Sequence, residues 1–265
     1  MIKMNSPSAF LEASVDGSTG WLVLNRPERR NALNAEMWAA IPPLIRSLNE
    51  DPGVRVIVIR GAGSEAFAAG ADISEFGETR KDSAAAAGYE KLNGDAFAAI
   101  RGSNRPVIAM VQGFCIGGGL AMALAADLRI ADCTAVFSLP PARLGLAYPL
   151  DGLSDLVAAV GASAAKEMIF TARKLKAEEA LRIGLIDRLA TDIESETRAL
   201  AAEIAAGAPF TLTHAKKAID FLAKRPGHED DAEVAWLAAR CFDSEDYAEG
   251  RAAFMEKRRP LFRGS

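Results

Sequence analysis

Residues 106–126 read PVIAMVQGFCIGGGLAMALAA. The first part, residues 106–111, is an unbroken apolar, β-prone run, the composition of a strand covered on both faces. Gly117, Gly118 and Gly119 follow, and then an alanine-rich stretch with the make-up of a buried helix. Glycine lets a backbone turn sharply and approach a neighbour closely. The order strand, glycine turn, helix predicts an α/β unit in which the turn presents backbone rather than side chains.

Upstream, residues 54–60 (VRVIVIR) read as a buried parallel strand, residues 61–70 as a Gly- and Ala-rich loop, and residues 81–100 as a long helix. Farther out, residues 21–25 (WLVLN) read as a strand and residues 26–33 as a polar loop. Residues 35–49 have helical periodicity, in which Pro42 and Pro43 require a kink or a place near the first turn. Short strands are expected at 128–130 and 135–137. Beyond about residue 154 the strand signal nearly disappears, and helices are expected at 164–170, 177–183, 193–206, 211–222, 230–241 and 246–257. Strands alternating with helices argue an α/β class. The last three helices form a tail that packs on the body or on a neighbouring subunit.

With 265 residues, half of them hydrophobic, the chain suits one large domain or one domain with an appended element. A net charge of −4 and a pI near 5.4 give no general attraction to nucleic acid or anionic membranes. No apolar run has the length of a membrane span, and MIKMNSPSAF shows no signal-peptide core. Cys115, Cys133 and Cys241 are odd in number and lack CxxC spacing, so they read as buried small hydrophobes in a reducing, cytoplasmic setting. His214 and His228 belong to no metal-ligand spacing, and no metal is expected.

Two segments carry the chemical signal: residues 67–73 (FAAGADI) and residues 113–121 (GFCIGGGLA). Each follows an expected buried strand and opens into helix. A helix start leaves backbone N–H groups without partners at the positive end of its dipole. Two such starts facing one oxygen would stabilise an enolate or oxyanion. Each segment alone is equally well read as tight strand–helix packing; the pair is the stronger signal. Phosphate-loop, dinucleotide and nucleophile-elbow motifs are absent from the sequence.

With these segments, the chain strongly resembles the crotonase family, the enoyl-CoA hydratase/isomerase superfamily. Residues 25–34 (NRPERRNALN) look like its first coenzyme A contact loop, and residues 67–73 and 117–119 like its two oxyanion segments. DLRIA at 127–131, ALRIGLI at 180–186, DSEDYAEG at 243–250 and AFMEKR at 253–258 are similar to further family motifs. The resemblance implies a spiral of ββα units over residues 1–200 and a helical C-terminal domain over 201–265, assembled as a trimer or a dimer of trimers. It implies an acyl-CoA thioester as ligand, with coenzyme A arriving as part of the substrate and no permanently bound cofactor. By the same resemblance, the N–H groups of Ala71 and Gly118 form the oxyanion hole. Arg30, Ala32, Ala69, Ala71, Asp72, Ile73 and Gly118 contact the coenzyme A ester, and Phe254 and Lys257 meet its nucleotide end. Lys257, Arg258, Arg259 and Arg263 form a basic cluster suited to phosphates or to a solvated helix end.

The hydratases of the family carry two catalytic glutamates. At the matching positions this chain has Ala121 and Pro141, neither able to transfer a proton. Tyr148 and Asp151, in the neighbouring loop, are the remaining catalytic candidates. Tyr148 matches a substrate-contacting tyrosine of the family's methylmalonyl-CoA decarboxylases, or else is a packing aromatic. Asp151 is an acid, or the N-cap of a helix starting at Gly152. Asp72 is expected to cap the helix after it, and Glu75 and Glu78 to be solvated acids on that helix. Three functions stay open: an enzyme of the enoyl-CoA hydratase/isomerase type, a malonyl- or methylmalonyl-type decarboxylase, and a non-catalytic acyl-CoA binder. The RNA binding shown by one branch of the family is disfavoured by the acidic pI.

Overall fold

The computed structural model describes residues 1–75, 83–145, 147–225 and 231–265. Glu78, His228 and the side chain of Phe254 lie outside the described residues.

The chain enters through three antiparallel strands, β1 (Ile2–Met4), β2 (Leu11–Asp16) and β3 (Thr19–Leu24). From β3 onward one motif repeats. Helix α1 (Ala35–Glu50) follows β3, and then β4 (Val56–Gly61), β5 (Ala66–Ala68) and helix α2 (Ser83–Arg101). The next unit is β6 (Val107–Val111), β7 (Phe114–Ile116) and α3 (Gly118–Ala125). It is followed by β8 (Leu128–Asp132), β9 (Val136–Ser138), α4 (Pro141–Leu144) and α5 (Leu150–Thr171). The first strand of each unit joins a seven-stranded sheet ordered β1-β2-β3-β4-β6-β8-β11, parallel from β3 onward. The second strand joins a four-stranded sheet ordered β10-β9-β7-β5. This is the expected spiral of ββα units.

The remaining elements are β10 (Leu175–Lys176), α6 (Ala177–Arg182), β11 (Arg188–Ala190), α7 (Ile193–Ala205), α8 (Pro209–Leu222), α9 (Asp231–Phe242) and α10 (Glu245–Glu256). The expected division at residues 200 and 201 falls inside α7, which packs Ile193, Leu200 and Ala201 onto the sheet with Val56, Val58, Ile108 and Met110. Side chains alternate across a strand. Ile57, Ile59, Val107, Ala109 and Val111 therefore face the other way, into the main core beneath α1, α2 and α3. Both faces of β4 and β6 are thus dry, which explains their unbroken apolar sequence.

Pro42 and Pro43 lie in the middle of α1, beyond its first turn. The carbonyls of Trp38 and Ala39 lose their usual intrahelical donors, and the helix continues because seven of its residues, Trp38 among them, are buried in the core. Three expectations need correction. Strands persist past residue 154 as β10 and β11. The helix expected at 164–170 is the end of α5, which begins at Leu150 and crosses Gly161 at φ 74°. Of the cysteines, Cys115 is buried but Cys133 is exposed and Cys241 half-buried; all three are free.

Candidate active site

The first glycine segment is pinned from two sides. Leu33 donates to the Gly70 carbonyl at 2.8 Å, and Asp72 donates back to the Leu33 carbonyl at 2.8 Å. Ala71 lies between these bonds, and its own N–H bonds to none of the described residues. Asp72 is 7% exposed; it holds Arg26 Nη1 at 2.6 Å and accepts from Ser74 N and Oγ at 3.0 and 2.6 Å. The Ser74 hydroxyl and then Arg26 hold its carboxyl below the usual range, with desolvation opposing them. Asp72 therefore caps the short 3-10 turn Ile73–Glu75, and residues 76–82, where the expected helix would run, lie outside the described residues. Glu75 is no mere solvated acid: it accepts from Ala35 N at the start of α1, at 2.9 Å.

In the second segment, Gly117 has φ 53° and ψ −119°, a turn that glycine makes without strain, and Gly118 opens α3. As a first-turn residue Gly118 has no intrahelical acceptor for its N–H. A methyl built on Gly118 would lie 3.8 Å from Ala71 N, and one built on Gly70 would lie 3.8 Å from Gly118 N. The two N–H groups, without acceptors among the described residues, border one small space. A methyl on Gly119 would stand 2.5 Å from the Ala68 carbonyl oxygen, so only glycine lets α3 sit this close to β5.

That space opens into a cavity of about 330 Å³. Ala69, Ala71, Ile73 and Gly118 line it, as do Ala121 and Pro141, the positions where the resemblance places glutamates. Both are buried and neither brings a titratable atom. Tyr148 lines the cavity as expected. Its hydroxyl is buried and finds no partner among the described residues. Burial first, and then the carboxylate of Asp155, the Cys115 thiol and Glu90, push its pKa up, so the phenol stays protonated and can donate. A methyl on Gly152 would come within 2.7 Å of the Tyr148 ring, so the glycine leaves room for it.

Asp151 does not line the cavity. It sits in the first turn of α5, whose N-cap is Pro149, and accepts from Arg101 at 3.3 Å, so it is not the cap of a helix beginning at Gly152. Arg30 and Ala32 are outside the cavity too, in the anchored loop after β3. The Arg30 side chain pairs with Glu65 at 2.7 Å, its carbonyl accepts from Ala69 N, and Arg26 Nη1 reaches the Ala32 carbonyl at 3.3 Å. Lys257 is exposed just beyond α10. In the basic cluster, Arg258 is already neutralised by two bonds to Glu249 (2.6 and 2.8 Å) and one to Glu256.

Sequence reading missed the part of the wall that α1 and α2 supply. Trp38 from α1 and Glu90, Asn93 and Phe97 from α2 complete the cavity. Trp38 is fully buried, donates from Nε1 to the Tyr89 hydroxyl at 3.0 Å, and meets Phe97 edge-on at 5.4 Å. The Tyr89 hydroxyl donates in turn to the Leu33 carbonyl at 3.4 Å, bracing the segment that holds Ala71. Asn93 is 6% exposed, and its Oδ1 has no partner among the described residues. It falls in the apolar stripe Tyr89, Asn93, Ala96, Phe97, Ile100, where a polar residue was the available signal.

Comparison with known proteins finds relatives along nearly the whole chain. The family model described as enoyl-CoA hydratase/isomerase matches residues 16–265. The chain is 34% identical over 251 residues to a short-chain-enoyl-CoA hydratase of Clostridium acetobutylicum, covering 92% of this chain and 94% of the relative. A solved enoyl-CoA hydratase/isomerase family protein from Hyphomonas neptunium superimposes with a TM-score of 0.91 at 40% identity, over 97% of this chain and 99% of that one. An enoyl-CoA hydratase/carnithine racemase from Magnetospirillum magneticum gives a TM-score of 0.91 at 34% identity, over 98% and 97%.

Proposed function

The chain belongs to the enoyl-CoA hydratase/isomerase family, and from that premise we propose that it binds an acyl-CoA thioester and stabilises its enolate with the N–H groups of Ala71 and Gly118. The observation that carries this reading is a pair of N–H groups, without acceptors among the described residues, bordering one space at the head of the cavity. As charge builds on the thioester oxygen, two fixed donors in a water-poor site gain strength without having to reorganise. The mainly apolar walls, Trp38, Phe97, Ile116 and Leu144, take the acyl chain. Coenzyme A comes and goes with the substrate, and the exposed Lys257 beyond α10 meets its phosphates; no resident cofactor or metal is proposed. The assembly is proposed to be a trimer or dimer of trimers. Exposed large apolar residues on α5 (Leu150, Val157, Phe170) and in the tail (Trp236, Met255, Leu261) favour it.

The test removes one donor while sparing the fold. Gly118 is the first residue of α3, where proline is tolerated. Gly118→Pro deletes the N–H and is expected to lower kcat by about 10²–10³. Gly118→Ala keeps the N–H, adding only a methyl at 3.0 Å from the Trp38 ring, and is expected to lose much less. Equal losses in the two variants would point to crowding and argue against the hole. Turnover is followed by mass spectrometry on crotonyl-, 3-enoyl-, malonyl- and methylmalonyl-CoA.

A second reading is favoured by Tyr148, a protonated phenol with a free donor inside the cavity. It suits the carboxylate of a malonyl-type thioester, whose loss as carbon dioxide needs an enolate hole more than a base. Release of carbon dioxide from malonyl- or methylmalonyl-CoA, abolished by Tyr148→Phe, would put this reading first. Tight binding of every ester without turnover would identify a non-catalytic acyl-CoA binder.

A further inference from the structure

Proton transfer at the carbons next to a thioester needs a carboxylate or its equivalent within reach. Ala121 and Pro141 leave the α3–α4 side of the cavity without one. Among the described residues lining the cavity, Glu90 is the single carboxylate. It comes from α2, which packs against α1 and against α3. Glu90, Asn93 and Phe97 are spaced i, i+3, i+7, one helical face, and all three line the cavity. Asn93 Oδ1 and the Tyr148 hydroxyl are buried polar atoms without partners among the described residues. This part of the wall is therefore built to meet polar groups rather than alkyl chain alone. The neighbouring α2 residue, Tyr89, is fastened to Trp38 and Leu33, so the helix that presents Glu90 is braced against the segment that presents Ala71.

We infer that Glu90 is a catalytic residue, the general base and acid among the described residues of this cavity, displaced from the α3–α4 wall to α2. The inference rests on the acyl-CoA reading above. A Glu90 carboxylate oxygen takes a proton from the α-carbon of the thioester. The C–H electron pair moves into the bond to the carbonyl carbon, and the carbonyl π pair goes to the oxygen held by the Ala71 and Gly118 N–H groups. Glu90, now a carboxylic acid, returns a proton. Return to the α-carbon regenerates substrate; return to the γ-carbon of a 3-enoyl thioester gives the conjugated 2-enoyl isomer. Either way Glu90 ends as a carboxylate, and no oxidant, reductant or second reactant is consumed. One carboxylate suffices for this 1,3-proton shift.

The test uses 3-hexenoyl-CoA with the full chain in deuterium oxide. Deuterium uptake and isomer formation are read by mass spectrometry and NMR, and affinity is read by calorimetry in parallel. We expect the wild type to exchange and isomerise. Glu90→Gln should be slower by about 10²–10⁴, with a Kd within about threefold of wild type and without the acidic limb of the pH–rate profile; Glu90→Asp should recover part of the rate. Exchange by Glu90→Gln at the wild-type rate overturns the assignment. So does a wild type that binds the ester but exchanges nothing, and that outcome leaves the acyl-CoA reading standing. Failure of the wild type to bind overturns both, and the calorimetric arm separates that case.

Discussion

At the scale of single residues, the site depends on what is missing from side chains. Gly119→Ala would set a methyl 2.5 Å from the Ala68 carbonyl, and such overpacking is expected to cost about 1–3 kcal/mol, read as a lower melting temperature. Gly88→Ala, on α2 with nothing within 4 Å of the new methyl, is the control and should stabilise by about 0.5–1 kcal/mol. Asp72 gives a prediction with a sign. Its folded pKa is lowered, so its contribution to stability is present above the unfolded value of about 3.9 and is lost as pH falls through the folded one. The stability gap between wild type and Asp72→Asn should therefore be full at pH 7 and narrow below about pH 4, as measured by urea unfolding. The glycine pair was legible because φ freedom and close approach leave a compositional trace. Glu90 was not, because a glutamate on a helix is ordinarily a solvated residue, and only the spiral's closure turns that face of α2 inward.

Among elements, the joint that sets the Tyr148 wall is ionic. Asp155 on α5 is 3% exposed and bonds Arg101 of α2 at 2.7 Å and Arg225, after α8, at 3.1 and 3.2 Å. Arg225 also reaches the last turn of α3 through the Leu124 carbonyl at 2.9 Å. Burial raises the Asp155 pKa, and the two arginines oppose that rise. Asp155→Ala would remove the buried acceptor that two guanidinium groups share, leaving Arg101 with Asp151 and Arg225 with Asp220 at 3.3 Å each, and is expected to cost about 3 kcal/mol in denaturant unfolding. This joint could not be read from sequence, because its members lie 54 and 70 positions apart. Long parallel strands and amphipathic helices were legible: β4, β6 and α7 fall close to where their periodicity puts them. Strands β5, β7 and β10 were not, being two or three residues long and held by the ladder of the second sheet rather than by a local pattern. Strand β2 (LEASVD), held between β1 and β3, was missed for its mixed composition.

For the whole molecule, the two cores share one sheet, so opening either exposes the other. Cys115 reports on this. It is fully buried in the main core, where desolvation raises its thiol pKa, whereas Cys133 is exposed. A thiol reagent should label Cys133 at once and Cys115 only at the rate of global unfolding. Rapid labelling of Cys115 in Cys133→Ser would show that the glycine segments open independently of the rest. The oxyanion donors proposed above, the N–H groups of Ala71 and Gly118, add a consequence of another kind. They are peptide N–H groups, which replacement of a side chain cannot delete, apart from proline. Gene drift can thus rewrite Ala121, Pro141 and Glu90 while the hole endures. On the proposed function, a lineage on this scaffold inherits its anion trap through the shape of the chain and its reaction through a few changeable letters around it, so descent alone foretells the kind of intermediate better than the product.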